Sequence, residues 1–168
     1  LKILNIIHLT LAIKFIMAIL IQMINIFCLS KGELNIMSTM ETLAIKTENK
    51  FRTLITKQTY KKGDVICAMP SENITDKPNR FTVQIGREKH THVGKLAALN
   101  HSCTPNVILD AEKMQMVACR DIEKGEELSF FYPSTEWEMD APFICLCGAS
   151  NCIHVVAGAR FLPLSTLE

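Results

Sequence analysis

Three of the seven cysteines in this 168-residue chain, Cys145, Cys147 and Cys152, fall close together in the pattern C-x-C-x4-C. The odd total and the uneven spacing argue against a disulfide framework and for a shared metal ion. A structural zinc site takes four ligands in a tetrahedron, so a fourth donor must come from elsewhere. Two residues qualify: His154, just beyond the trio, and Cys103, in the turn-like run Asn100-His101-Ser102-Cys103-Thr104-Pro105-Asn106. A metal staple suits a terminal segment with little core of its own. Cys67 and Cys119 fall on strand-like runs and read as small core residues. Cys28 receives no role.

The pattern after Met40 is mainly β, made of short β-rich runs separated by turn signals. Phe51–Thr56 alternates, Lys61-Lys62-Gly63-Asp64 turns, and Val65–Met69 follows. Pro70–Asn79 reads as a loop. Phe81–Ile85 and Lys89–Val93 flank Gly86-Arg87 as a hairpin, and Val107–Leu109 and Met114–Cys119 flank Asp110–Lys113 as a second. Lys95–Leu99 is long enough for one helical turn, and Glu127–Tyr132 reads as a further strand. No segment sustains a helical period over three turns, and there is no Gly-rich phosphate loop.

With 48% hydrophobic and 21% charged residues, the chain suits one globular domain and excludes a disordered or collagen-like polymer. Setting aside the three lysines and one acid of residues 1–39 leaves 15 basic and 16 acidic residues, which excludes polyanion binding driven by bulk charge. Direct nucleic-acid binding is not expected.

Residues 1–39 are a segment apart. Ile3–Leu29 is rich in Ile, Leu, Met and Phe, yet its longest uncharged stretch, Phe15–Ser30, falls short of the roughly 20 residues of a membrane span. Phe27-Cys28-Leu29 offers no small-residue cleavage site. Residue 1 is Leu, and the bias toward Ile, Leu, Asn, Lys and Met is what a translated AT-rich non-coding stretch gives. Residues 1–39 are therefore expected to lie outside the fold, with Met37 or Met40 as the start. A membrane or targeting segment is the alternative.

Three motifs then occur in order: Asn100-His101-Ser102-Cys103-x-Pro105-Asn106, Asp121-Ile122-x-x-Gly125-Glu126-Glu127-Leu128-Ser129-Phe130-Phe131-Tyr132, and C-x-C-x4-C. In order and spacing they resemble the SET domain with its post-SET zinc segment, found in S-adenosylmethionine-dependent protein-lysine methyltransferases. The resemblance runs from about Leu43 to Leu162 and is greatest to the very small stand-alone members. It implies a mainly β, β-clip-like SET domain over 40–133 and a zinc-binding post-SET segment over 134–168. In that fold the first two motifs thread past each other in a pseudoknot.

The resemblance further implies that Cys103 joins Cys145, Cys147 and Cys152 on zinc, and that Asn100 and His101 line the S-adenosylmethionine pocket. Tyr132 becomes the catalytic tyrosine, also beside the cofactor, and Phe130 occupies the Phe/Tyr switch position that sets how many methyl groups are added. Phe131 reads instead as a core aromatic. The family's cofactor-binding Gly-x-Gly aligns with Phe51-Arg52-Thr53, which places Arg52 at the cofactor, and Tyr60 stands where a core aliphatic is expected. These departures set the alternative, a zinc-stapled peptide-binding module that has lost catalysis.

The expected partner is a protein with a basic, histone-like, lysine-containing tail. Seven acids and one lysine between Asp121 and Asp140 would attract such a tail, unless they only form a solvated face. The expected location is the nucleus or cytoplasm, with membrane association only if residues 1–39 are genuine.

Overall fold

The computed structural model describes residues 40–167, so the expectations for residues 1–39 lie outside the described residues. Among the described residues no helix is long and apolar enough to cross a membrane. Short strands dominate, as the period-two runs predict.

Strand β1 (Leu43–Glu48) pairs antiparallel with β2 (Phe51–Thr56) through Asn49 and Lys50, which both have positive φ (47° and 71°). Two left-handed residues in a two-residue loop match the right-handed twist of the flanking strands. β3 (Val65–Ala68) follows, and then β4 (Ile74–Thr75), a two-residue strand inside the segment expected to be a loop. β4 exists because it adds to the edge of the hairpin of β5 (Thr82–Gly86) and β6 (Lys89–His92), pairing Ile74 with Thr91 and Thr75 with His90. Nothing in its own sequence encodes that edge.

A 3-10 turn at Gly94–Ala98 precedes β7 (Asn100–His101). The second expected hairpin is β8 (Val107–Asp110) with β9 (Gln115–Ala118), to which β3 adds on the far side. β10 (Glu127–Phe130) stops two residues before the expected end at Tyr132, which opens a 3-10 turn, Tyr132–Ser134. Pro133 has no backbone N–H to continue a ladder and fixes φ near the helical value. The short hairpin of β11 (Phe143–Ile144) and β12 (Val155–Val156) brackets the cysteine trio, and α1 (Leu164–Leu167) follows.

The decisive crossing lies in the sheet ordered β1-β2-β10-β7. β10 is antiparallel to β2 and parallel to β7, with Ser129 opposite Asn100 and Phe130 opposite His101. Asn106 pins the crossing from within: its Oδ1 accepts the Ser129 N–H (2.8 Å) and its Nδ2 donates to the Glu127 carbonyl (2.7 Å) and Glu126 Oε1 (3.0 Å). With Asn106 only 1% exposed, a polar side chain survives burial there because both of its ends are bonded.

Leu43, Leu54, Ile66, Met116, Ile122 and Leu128 are fully buried in the main core. Cys67 joins them, and burial alone pushes its thiol up to about 12. Cys119 is half-buried and donates to the Pro105 carbonyl (3.2 Å). Tyr60 is also a core residue, its hydroxyl bonded to Thr42 Oγ1 (2.8 Å).

Candidate functional site

The 3-10 turn after β10 carries Tyr132 into the wall of a cavity of about 440 Å³. Its hydroxyl donates to the Leu99 carbonyl (2.7 Å), at the end of the turn that leads into β7. Phe130 lies beside it with ring centroids 4.7 Å apart, and Phe143 meets it edge-on at 5.9 Å. Burial first, and the charge of Glu136 second, push the Tyr132 phenol up to about 12. Near neutral pH it therefore stays protonated. Arg52, Val83, Leu96 and Ala97 complete much of the wall.

Asn100 and His101 do different work from Arg52 and Tyr132. Asn100 Nδ2 donates to the Arg52 carbonyl (3.3 Å) and to Glu127 Oε1 (2.8 Å), tying β7 to β2 and β10. His101 Nδ1 accepts the Tyr132 backbone N–H (3.2 Å), so its ring proton sits on Nε2, which faces Cys103 Sγ at 3.3 Å. Burial holds the ring neutral, with a pKa of about 4. His101 thus links the turn that carries Tyr132 to the cysteine cluster.

Cys103, Cys145, Cys147 and Cys152 converge with all four sulfurs within 4.8 Å of one another. Cys103 and Cys145 are 3.9 Å apart, close to the roughly 3.8 Å edge of a tetrahedron with Zn–S bonds of about 2.3 Å. Backbone N–H groups of Ile153 and His154 point at the sulfurs of Cys103 (3.5 Å) and Cys152 (3.4 Å), which favours thiolates. Burial pushes the Cys103 thiol up, while the Ala149 backbone N–H pulls exposed Cys147 down. The donor set therefore fits zinc. Of the two candidates for the fourth donor, Cys103 is in the cluster, whereas exposed His154 contributes only backbone, its carbonyl accepting the Cys145 N–H (2.8 Å). Phe131 is half-buried against this cluster and not in the main core.

The acidic run is not a uniform face. Asp121 pairs with Lys61, Glu126 with Arg120 and Glu138 with Arg160, while Glu127 binds Asn100. Three of the seven acids that would attract a basic tail are thus paired with cations within the protein. Glu136, counted in that run, is buried at 8% exposure and lines the cavity beside Tyr132. Sequence reasoning missed it as a site residue. In any local window a glutamate between Thr and Trp reads as surface.

Gly158 locks this segment in place. Its φ is +112°, and a Cβ there would sit 2.5 Å from the Trp137 carbonyl and 2.7 Å from Glu138 Cα. Only glycine lets the backbone after β12 approach residues 136–138 so closely. Ala159 N–H bonds the Glu136 carbonyl (2.8 Å), and Met139 N–H the Ala157 carbonyl (2.9 Å).

Comparison with known proteins places this geometry. Residues 51–133 match the family model of the SET domain. Methyltransferase flvH of Aspergillus flavus is 43% identical over 75 residues, covering 44% of this chain and 42% of that protein. The H3 lysine-36 specific histone-lysine N-methyltransferase of Chaetomium globosum is 41% identical over 81 residues, 41% of this chain and 9% of that protein. The chain thus spans less than half the length of these curated relatives. Among solved structures, KRYPTONITE in complex with mCHG DNA and SAH superposes with a TM-score of 0.53 at 20% identity, covering 67% of this chain and 28% of that one. The methyltransferase domain of human SETMAR gives 0.50 at 21% identity, covering 67% and 56%. At these identities the structural likeness establishes the fold.

Proposed function

Given that residues 51–133 are a SET domain, we propose that the chain is an S-adenosylmethionine-dependent protein-lysine N-methyltransferase acting in the nucleus or cytoplasm. The observation that carries this reading is the Tyr132 hydroxyl, held on the Leu99 carbonyl in the wall of an aromatic-lined cavity. The curated relatives, a methyltransferase and a histone-lysine methyltransferase, support the substrate class. A histone-like basic tail is the substrate we assign.

S-adenosylmethionine, when bound, supplies an electrophilic methyl group on a sulfonium. Everything else falls to the chain. The lysine must present a neutral amine, and the apolar wall formed by Val83, Leu96, Leu99, Phe130 and Phe143 disfavours the charged form. Because the one hydroxyl proton of Tyr132 is committed to Leu99, its lone pairs are left to accept an amine N–H. That contact turns the nitrogen lone pair toward the donor, and in-line positioning supplies much of the rate. Arg52 and Tyr132 reach the cofactor from the cavity wall, while Asn100 and His101 support it from β7. Without a hydroxyl, Phe130 holds no water beside the amine and leaves room for a methylated lysine.

Zinc bound by Cys103, Cys145, Cys147 and Cys152 is a structural staple in this reading. Residues 134–168 then form a post-SET segment that closes over the cavity with Phe143. The test is transfer of labelled methyl from S-adenosylmethionine to recombinant histone H3. Wild type transfers, and Tyr132→Phe folds and binds cofactor but is slower by about two to three orders of magnitude, because the hydroxyl acts chiefly in the transition state. Equal rates in the two proteins reject the assignment of Tyr132. Cofactor binding without transfer to any basic protein supports the binding module instead.

A further inference from the structure

Glu136 is a carboxylate with one oxygen held and the other open. Oε1 accepts the Gln84 backbone N–H (3.0 Å) and the Thr135 hydroxyl (3.2 Å). Gln84 fixes the same segment from its side chain, accepting the Trp137 N–H on Oε1 (2.8 Å). Among the described residues no hydrogen bond reaches Glu136 Oε2. Among the described residues only His90 Nδ1 is a buried side-chain atom without a partner, so Oε2 is not sealed in the interior, and Glu136 is one of the residues that line the cavity. Among the described residues no ion pair compensates Glu136, whereas three of its acidic neighbours in sequence have one.

A carboxylate this buried, rigidly oriented and uncompensated is expensive for the free protein. Its burial makes sense where a cation completes it. In the methyltransferase reading the cavity that Glu136 shares with Tyr132 and Phe130 takes the substrate's reacting side chain, and Glu136 acts on the Tyr132 phenol through its charge. Arg52, Arg80 and Asp140 also line the cavity. Neither arginine forms an ion pair with Glu136 among the described residues.

We propose that Glu136 is the cation-binding residue of this cavity, receiving the ε-ammonium of the target lysine on Oε2 as it leaves water for the apolar wall. This rests on the methyltransferase reading. Glu136 lowers the desolvation penalty of entry; the ammonium then gives up one proton to bulk water, and Tyr132 orients the neutral amine that remains. It is a substrate-binding determinant that the three motifs do not contain.

The test uses the full chain with S-adenosylhomocysteine and two probes of equal size, n-butylammonium, which copies the end of the lysine side chain, and uncharged n-butanol, with affinities followed by NMR. Glu136→Gln keeps an acceptor for Gln84 and Thr135, so the fold is retained and a thermal melt verifies it. Wild type prefers the cation, Glu136→Gln loses that preference by about tenfold or more, Glu136→Asp retains a preference for the cation, and n-butanol affinity does not change. With histone H3 as substrate, Glu136→Gln raises KM more than it lowers kcat. Equal n-butylammonium affinity in wild type and Glu136→Gln overturns the proposal. So does a raised KM with unchanged n-butylammonium affinity, since Glu136 would then read a flanking basic residue. Absence of transfer by wild type defeats the methyltransferase reading instead, and the n-butylammonium measurement still decides the role of Glu136.

Discussion

Asn106→Ala tests whether the crossing of β7 and β10 is held by one buried side chain. The substitution removes the acceptor of the Ser129 N–H and the donor to the Glu127 carbonyl, leaving two backbone groups without those partners at a position 1% exposed. Each orphaned group costs about 1–3 kcal/mol. The third bond, to Glu126, adds little because Arg120 and the Glu123 N–H still satisfy that carboxylate. The sum is about 4 kcal/mol, a large share of the 5–15 kcal/mol typical of a domain. For a fold of this size that corresponds to a Tm lower by roughly 15 °C. Urea unfolding followed by circular dichroism, at matched m value, measures the difference. A loss below about 1 kcal/mol would refute the reasoning and mean that backbone pairing alone holds the crossing. Asn106→Asp provides the control: it keeps the acceptor for Ser129 but loses the donor and sets a charge against Glu126, so it remains destabilised near neutral pH.

Three further outcomes are expected. Elemental analysis of the purified chain finds about one zinc, lost in Cys103→Ser and retained in His154→Ala, and chelation first increases hydrogen exchange in residues 143–156; zinc content unaffected by Cys103→Ser would contradict the four-sulfur site. Phe130→Tyr adds a hydroxyl beside Tyr132 and leaves the first methyl transfer largely intact while suppressing later ones, a shift that mass spectrometry of a methylated histone H3 peptide reads directly. Glu136 makes stability depend on pH: burial raises its carboxyl above the unfolded value, so with rising pH the unfolded chain loses its proton first and stability falls until the folded carboxyl has also ionised. Relative to wild type, Glu136→Gln should therefore be more stable near neutral pH than at pH 4, and a pH-independent difference between their melts would contradict this.

The strands and turns were legible because their determinants are local. Alternation in Phe51–Thr56 and the turn chemistry of Gly86-Arg87 and Asp110–Lys113 act within a few residues, and the structure has β2 and both hairpins there. The converse also holds: β1 begins in a run with little alternation, and β4 has only two residues, so both depend on the strands they pair with. Pro133 was visible in the sequence, and its missing N–H explains why β10 ends before Tyr132.

The sequence by itself determined the chemistry of the parts: three thiols spaced for one metal ion, a tyrosine after a Phe-Phe strand end, and an Asn-His-Ser-Cys turn. Tertiary structure decided which parts meet. Cys103 reaches Cys145 across 42 positions, and the Tyr132 hydroxyl finds Leu99 across 33. Glu136 changes from an apparent surface acid to a wall of the cavity because Gln84, 52 positions earlier, and the close approach of Gly158 hold its segment inward. Backbone preference is set by neighbours along the chain, whereas burial, desolvation and ligand geometry depend on which distant segments pack together, and only the folded chain specifies those.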